Sequence, residues 1–254
     1  DKKEIQPYIQ KGADLTKVPV SFEVNGSETS ITVGGSAFEN KGTLNLSKDL
    51  SVTFARGEKR ETWTLKKPIY ANNPVLPGQY ADPDIDYFDG KFWIYPTTDG
   101  YPGWSGTKFH AFSSVNMVDW EDEGIIMELA NDNPGVNDKG VKIANSPWAV
   151  KGSAWAPTIE KMNGKYYFYY CGKDADGNSQ IGVAVADRPA GPYTDKGTPL
   201  VTTKMCRDLG LQMGQAIDPS IFVDDDGSAY IAFGNGAAVL GKLTEDMMDI
   251  EEGS

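Results

Sequence analysis

The pattern of apolar and polar positions indicates two regions that meet near residue 68. In the first region, five short stretches alternate apolar and polar residues between turn signals, at 18–24, 28–33, 42–46, 50–54 and 61–65. Such short alternating runs are typical of half-buried β-strands. We therefore predict a small antiparallel β module over residues 1–68, with accessory packing favoured over sugar binding as its role.

The second region, residues 69–254, is organised by a short phrase that occurs three times. Each copy opens an apolar strand, which leads through an Asp-Gly or Asn-Gly turn into a strand rich in aromatic residues. Third strands are predicted at 107–113, 180–186 and 237–243, and strand-like tails at 119–122 and 191–197 follow the first two. The copies are Ala81-Asp82-Pro83-Asp84-Ile85, Trp155-Ala156-Pro157-Thr158-Ile159 and Ile217-Asp218-Pro219-Ser220-Ile221. Repeated units of four short strands are typical of β-propeller blades, so we predict an all-β protein.

Two segments between the predicted strands, 125–152 and 198–215, are long and show little alternation. Gly, Pro, Asn and Asp are frequent in 125–152, and 198–215 contains Gly, Pro and Asp. Long loops inside a compact domain are usually functional or disordered. The sequence leaves open whether these segments wall a ligand cleft or decorate the surface.

Composition limits the partners of the chain. Its 36 acidic and 24 basic residues give a net charge of −12, which argues against nucleic acid or an anionic membrane as a partner. No apolar run approaches the roughly 18 residues of a membrane span. The acidity is compatible with a neutral substrate such as a sugar. The single histidine, His110, gives no His-based metal site on its own, so we predict no metal-ligating residues.

The position before the repeated proline is the main candidate for chemistry. It holds Asp82 in the first copy, Ala156 in the second and Asp218 in the third. Repeats that are otherwise interchangeable differ where chemistry is installed, so the two aspartates are candidate paired carboxylates. Inverting hydrolysis of a glycosidic bond uses two carboxyl groups about 6.5–9.5 Å apart, which leaves room for the attacking water. A further carboxylate near the acid raises its pKa and keeps it protonated.

Other residues near these aspartates are candidates for contacting a sugar. Asp84 lies two positions after Asp82 on the same strand face, and a structural hydrogen bond is favoured for it over a sugar contact. Three aromatic residues lie near inner strand ends or in loops, where they could line a cleft: Tyr80, Trp104 and Trp148. Three others on the aromatic strands are predicted to pack between blades: Trp93, Tyr167 and Phe168.

The three phrases, in this order and with these flanks, resemble glycoside hydrolase family 43 over roughly residues 73–254. The resemblance implies a five-bladed β-propeller, of which about three blades lie in this chain. It also implies an inverting glycosidase that releases arabinose or xylose from plant hemicellulose. By the resemblance, Asp82 matches the general base, and Asp218 matches the residue that tunes the pKa of the general acid and orients it. Trp155 matches an aromatic wall of the sugar pocket.

The chain departs from the family pattern at the general acid, which should be a Glu at the start of the fourth blade. Glu245, Glu251 and Glu252 fall in a tail at the blade rim instead. We therefore expect the acid and the remaining blades outside this chain, on a second polypeptide.

Family members often hold an ion on the propeller axis, so the resemblance allows a structural calcium there, although the reaction requires no cofactor.

Two functions stay open at this point. The first is an α-L-arabinofuranosidase or β-xylosidase acting on a plant polysaccharide or oligosaccharide. The second is a non-catalytic carbohydrate-binding propeller. The presence of both Asp82 and Asp218 favours the enzyme, because a pure binder has no need of a base there. The substrate class predicts an extracellular location, or the periplasm of a bacterium.

Overall fold

The strands of the chain form two separate units, which divide between Leu76 and Pro77. The computed structural model describes residues 3–10, 12–24, 28–71 and 74–254. The boundary expected after residue 68 lies inside the first unit, because one more short strand follows it.

The described residues of the N-terminal unit form nine short strands. They are β1 (Glu4–Ile5), β2 (Tyr8–Gln10), β3 (Val18–Pro19), β4 (Ser30–Val33), β5 (Ser36–Ala37), β6 (Thr43–Leu44), β7 (Leu50–Arg56), β8 (Lys59–Leu65) and β9 (Ile69–Ala71). Five form one sheet in the order β1-β8-β7-β4-β5, and the others pair as β2-β9 and β3-β6. The alternating apolar residues meet in a small core around Ile31, Leu46, Val52 and Leu65.

The C-terminal unit contains three successive sheets built mainly from antiparallel pairs. The first holds β10 (Tyr80–Phe88), β11 (Lys91–Thr98), β12 (Lys108–Ser114), β13 (Glu121–Leu129) and β14 (Ala144–Ser146). The second holds β15 (Trp155–Met162), β16 (Lys165–Lys173), β17 (Ser179–Ala186), β18 (Thr194–Asp195) and β19 (Val201–Thr202). The third holds β20 (Ser220–Val223), β21 (Ala229–Phe233) and β22 (Val239–Lys242). The first strands of the sheets are neighbours, since β10 packs beside β15 and β15 beside β20.

Strand β16 is buried on both faces because its sheet lies between the other two. Tyr166, Phe168 and Tyr170 belong to the apolar cluster shared with the first sheet. Tyr167 and Tyr169 belong to the cluster shared with the third sheet. A strand covered on both sides reads as a continuous apolar run, and this one is a run of five aromatic residues. The packing role predicted for Trp93, Tyr167 and Phe168 is confirmed, because all three are buried in these clusters.

The two long segments predicted as loops contain regular structure, so the loop prediction is wrong in those parts. The first begins inside β13, whose residues Ile126, Met127 and Leu129 are buried, and it includes β14, which pairs with β13 in parallel. The second contains β19 and helix α1 (Thr203–Asp208). Burial on both faces removes the alternation by which a strand is recognised.

Helix α1 begins at a side-chain cap, because the Thr202 hydroxyl accepts a hydrogen bond from the backbone N–H of Met205 at 2.9 Å. It is the only α-helix within the described ranges. No helix in that part of the chain has the length and apolar character needed to cross a membrane.

Acidic side chains lie where the first strands of the first two sheets meet. The Asp84 carboxylate accepts a hydrogen bond from the backbone N–H of Ile159 on β15 at 2.9 Å. Burial raises the pKa of Asp86 to about 7, and the nearby charges of Asp84 and Glu160 contribute. Burial also raises the pKa of Glu160. The charge where these two sheets meet therefore depends on the protonation of Asp86 and Glu160.

The close packing around Gly182 on β17 gives a test of the fold. A Cβ atom added at this glycine would lie 2.5 Å from Tyr170 Cζ and 2.7 Å from Trp148 Cζ2. We expect Gly182→Ala to lower the free energy of unfolding by about 1–3 kcal/mol, as overpacked cores do. Gly241→Ala is the matched control, because its Cβ would meet only side-chain atoms at 3.4 Å or beyond. Urea unfolding of both variants checks this, and equal stabilities would contradict it.

The raised pKa of Asp86 gives a pH test of stability. Between the ordinary value of 3.8 and about 7, the folded chain holds a proton that the unfolded chain has released. The free energy of unfolding should therefore fall as the pH rises through this range, by on the order of 1 kcal/mol for this half-buried group. Asp86→Asn should remove this part of the fall, whereas Asp225→Asn, in an exposed turn, should not. Thermal unfolding from pH 4 to pH 8 measures the difference.

Candidate active site

The residue before each repeated proline has the same unusual backbone conformation. Asp82, Ala156 and Asp218 have φ angles of 44°, 33° and 57°, in the left-handed region. In the first two sheets, the register of strand pairing shifts at this point, as in a β-bulge. Left-handed backbone is disfavoured in residues with a Cβ, although Asp tolerates it better than Ala. The repeated phrase therefore builds the same bend in all three sheets.

The bends bring Asp82 and Asp218 to the same two cavities. One cavity, of about 300 Å³, also contacts Trp104 and Trp155, and its residues are Ala81, Asp82, Thr97, Asp99, Trp104, Trp155 and Asp218. The other, of about 330 Å³, is lined by the three prolines and their neighbours: Asp82, Pro83, Asp84, Ala156, Pro157, Thr158, Asp218, Pro219 and Ser220. The two carboxylates therefore face a common space although they are far apart in the sequence.

The Asp82 carboxylate is held by a buried hydroxyl. Thr97 Oγ1 donates a hydrogen bond to Asp82 Oδ2 at 2.9 Å. Thr97 Oγ1 also accepts a hydrogen bond from the backbone N–H of Ala156 at 2.7 Å. Thr97 is buried, whereas Asp82 is exposed to the cavities. The Asp82 carboxylate is therefore oriented by a buried hydroxyl on one side and exposed to solvent on the other.

Two effects change the pKa of Asp218: burial and the charge of the other carboxylate. Burial raises its pKa, and the negative charge of Asp82 raises it further. The backbone N–H of Asp218 donates to Cys171 Sγ at 3.3 Å. Cys171 and Cys206 are both free, buried thiols. The charges of the two aspartates are therefore coupled.

Two tryptophans form an aromatic wall beside the carboxylates. The indole N–H of Trp155 donates to the backbone carbonyl of Trp104 at 2.7 Å, which fixes the two relative to each other. Lys173 Nζ lies 5.0 Å from the centre of the Trp155 ring. Trp104 is 72% exposed, so its ring is accessible from solvent. Aromatic faces of this kind pack against the apolar C–H face of a sugar.

Tyr80 and Trp148 lie elsewhere in the structure. The Tyr80 ring packs edge-on against Phe112, with centres 5.3 Å apart. The Trp148 ring stacks on Tyr170 in the core, with centres 5.8 Å apart. Neither residue is among the described residues that line the two cavities. No residue of the segments 125–152 and 198–215 lines them either, within the described part of the chain.

Asp84 has a structural contact and a place in the site at once. Its carboxylate accepts the Ile159 N–H bond, and it lines the larger cavity. Sequence reasoning missed Thr97 and Asp99, which line the smaller cavity. The signal that could have found them is their place at the end of β11, opposite the bend in β10.

A structural calcium on the propeller axis, which the sequence resemblance allows, stays a prediction. Within the described ranges, no group of three or more His, Cys, Asp or Glu side chains is arranged to hold a metal ion.

Comparison with known proteins identifies the family of the chain. The model of glycosyl hydrolases family 43 matches residues 71–254. A xylosidase/arabinosidase of Humicola insolens is 36% identical over 165 residues, which cover 63% of this chain and 45% of that protein. An arabinoxylan arabinofuranohydrolase of Bacillus subtilis is 34% identical over 199 residues, which cover 72% of this chain and 36% of that protein. The chain thus spans about half the length, or less, of these curated relatives.

Solved structures agree with this match. A family 43 enzyme from Xanthomonas citri in complex with xylotriose has a TM-score of 0.51 at 28% identity, covering 68% of this chain and 53% of that one. The Bacillus subtilis arabinoxylan arabinofuranohydrolase in complex with cellotetraose has a TM-score of 0.54 at 29% identity, covering 70% of this chain and 41% of that one. The repeated bends, the three sheets and the family match lead to one conclusion: the chain belongs to glycosyl hydrolases family 43.

Proposed function

We propose that this chain carries the base side of the active site of an inverting glycoside hydrolase. The observation that carries the proposal is the shared space of Asp82 and Asp218, beside the Trp104–Trp155 wall. The released sugar would be arabinose or xylose from plant hemicellulose, as for an α-L-arabinofuranosidase or β-xylosidase. The relatives, a xylosidase/arabinosidase and an arabinoxylan arabinofuranohydrolase, support this substrate class.

In the proposed reaction, Asp82 is the general base. Its carboxylate takes a proton from a water molecule, whose oxygen attacks the anomeric carbon on the face opposite the leaving group. Thr97 holds the carboxylate in one orientation through its hydroxyl. A general acid protonates the leaving oxygen, and the anomeric configuration inverts. The reaction needs carboxyl groups and water and requires no cofactor.

Asp218 is proposed to tune and orient the general acid. A carboxylate beside a carboxylic acid disfavours loss of the acid's proton, because two negative charges would then lie close together. Asp218 already responds to the charge of Asp82, which supports close electrostatic coupling at this place. The general acid itself is proposed to come from outside the described sheets, on a further blade.

Exposed apolar residues support the presence of further blades. Tyr87 on β10 is 60% exposed, and Phe222 on β20 and Leu240 on β22 are 58% and 64% exposed. Faces of the first and third sheets that carry such residues gain stability when another sheet covers them. We propose that further blades pack there, on a second polypeptide.

We also propose an extracellular or periplasmic location, which follows from the polymeric plant substrate.

The role of Asp82 can be tested with nitrophenyl α-L-arabinofuranoside and β-D-xyloside. Nitrophenolate leaves readily without protonation, so these substrates test the base even where the acid is lacking. Asp82→Asn keeps the size of the side chain and removes the base, and we expect kcat to fall by about 10²–10⁴-fold. Release of nitrophenol under saturating substrate measures the change.

Two controls decide between an enzyme and a binding propeller. Asp225→Asn, a carboxylate in an exposed turn, should leave the rate unchanged. Binding of arabinoxylan oligosaccharides to the wild type and to Asp82→Asn should be similar by calorimetry. Binding without any turnover by the wild type would support the non-catalytic alternative. Equal rates for the wild type and Asp82→Asn would refute the role of Asp82.

The proposed second polypeptide predicts the behaviour of the isolated chain in solution. Because the first and third sheets expose Tyr87, Phe222 and Leu240, we expect the 27.6 kDa chain to associate with itself or to bind other blades. Light scattering and intact mass measure the species present. Phe222→Ser should reduce the association. A soluble, well-folded and fully active 27.6 kDa monomer would contradict the proposal.

A further inference from the structure

The middle copy of the repeated phrase has the bend of the other two but not their carboxylate. Ala156 has a φ of 33°, a conformation that is unfavourable for alanine. Its methyl group offers no chemistry that would explain this conformation. The backbone N–H and C=O of Ala156, however, both face side chains that contact the two acidic copies. The bend therefore presents backbone groups rather than a side chain.

On one side, Ala156 is connected to Asp82 through Thr97. The Ala156 N–H donates to Thr97 Oγ1 at 2.7 Å, and this hydroxyl donates to Asp82 Oδ2 at 2.9 Å. A hydroxyl has a single proton to donate. The Ala156 N–H donates to one lone pair of Thr97 Oγ1, so the hydroxyl proton of Thr97 points to the Asp82 carboxylate. The two hydrogen bonds therefore run in one direction, from Ala156 to Asp82.

On the other side, Ala156 is connected to Asp218 through Cys171. The Asp218 N–H donates to Cys171 Sγ at 3.3 Å, and the thiol faces the Ala156 carbonyl at a long 4.0 Å. Ala156, Cys171 and Ile217 form one buried cluster, against which Trp155 packs. Cys171 and Ala156 are therefore buried beneath the site, where hydrogen bonds are strengthened.

We propose that Thr97 and Cys171 are positioning residues that set the two aspartates relative to each other through the backbone of Ala156. The path runs from the Asp218 N–H through Cys171, Ala156 and Thr97 to the Asp82 carboxylate. This inference deepens the proposed function and rests on it only for the claim that the two aspartates act on a sugar. Inverting hydrolysis depends on the spacing of its carboxyl groups, and small misplacements of reacting groups slow enzymes strongly.

The physical connection is tested first without turnover, by amide NMR of the full chain. Thr97→Val keeps the shape of the side chain and removes the hydroxyl. We expect the hydrogen of the Ala156 amide to exchange faster with solvent. We also expect the resonance of the Asp218 amide to shift, although the path joins Asp218 to Thr97 only through Cys171 and Ala156. Thr98→Val is the matched control, because it removes a neighbouring hydroxyl that donates to the Lys108 carbonyl at 2.8 Å instead.

The second half of the path is tested at Cys171. Cys171→Ala removes the sulfur, and the resonance of the Ala156 amide should then shift together with that of Asp218. Cys171→Ser keeps a donor and an acceptor and should reduce these shifts. If Thr97→Val moves only its immediate neighbours and leaves the Asp218 amide as Thr98→Val does, the proposed connection is refuted.

The effect on the reaction is tested with the aryl glycosides. Thr97→Val should lower kcat by about tenfold or more with little change in KM, since it removes a hydrogen bond to a charged group. Thr97→Ser keeps the hydroxyl and should recover most of this loss. Unchanged kcat in Thr97→Val, beside an active wild type, would overturn the positioning role.

The two arms separate this inference from the proposed function. If the wild type shows no glycosidase activity, the proposed function fails, and the NMR arm still decides whether the path exists. If the wild type is active but Thr97→Val and Thr97→Ser lose equal activity, the hydroxyl has no positioning role and the inference fails alone.

Discussion

Burial of both faces of the middle sheet is the constraint on which the rest of the C-terminal unit depends. Alternate residues of β16 pack against the first and the third sheet, so the three sheets must lie side by side. The buried tyrosine hydroxyls are satisfied within the same packing, as Tyr170 bonds to Ser146 at 2.7 Å and Tyr169 bonds to the Met247 carbonyl at 2.9 Å. With the sheets fixed in this way, the starts of β10, β15 and β20 become neighbours, and the repeated bends meet at one place.

The bends then separate the tasks of side chain and backbone. In the outer two copies, left-handed backbone presents Asp82 and Asp218 to the cavities. In the middle copy, the same conformation presents the peptide groups of Ala156 to Thr97 and Cys171. The strain of all three bends is maintained by the packing beneath them, as is common where structure serves a reaction. Stability of the core and geometry of the site are therefore linked.

The sequence predicted those features that the repeat itself carries. The strands of the three sheets and the turns between them follow from local pattern, and the copies of the phrase single out Asp82 and Asp218. Trp155 is identified through the family resemblance, and it lines one cavity with both aspartates and Trp104. The pattern could not show that Trp148 stacks on Tyr170, because ring stacking between sheets leaves no local periodicity. It also could not reveal Thr97, whose importance comes from a backbone group in another sheet. Burial on both faces concealed the end of β13 in the same way.

The position of the thiols has a consequence for the chemical reactivity of the chain. Cys171 is fully buried beneath the two aspartates, and burial raises the pKa of its thiol, so the reactive thiolate is disfavoured. Alkylating reagents can reach it only when the second and third sheets separate. The rate of its modification in a native solution therefore reports how often the structure beneath Asp82 and Asp218 opens. Cys206 in α1, also buried, reports the opening of a different part of the same sheet boundary.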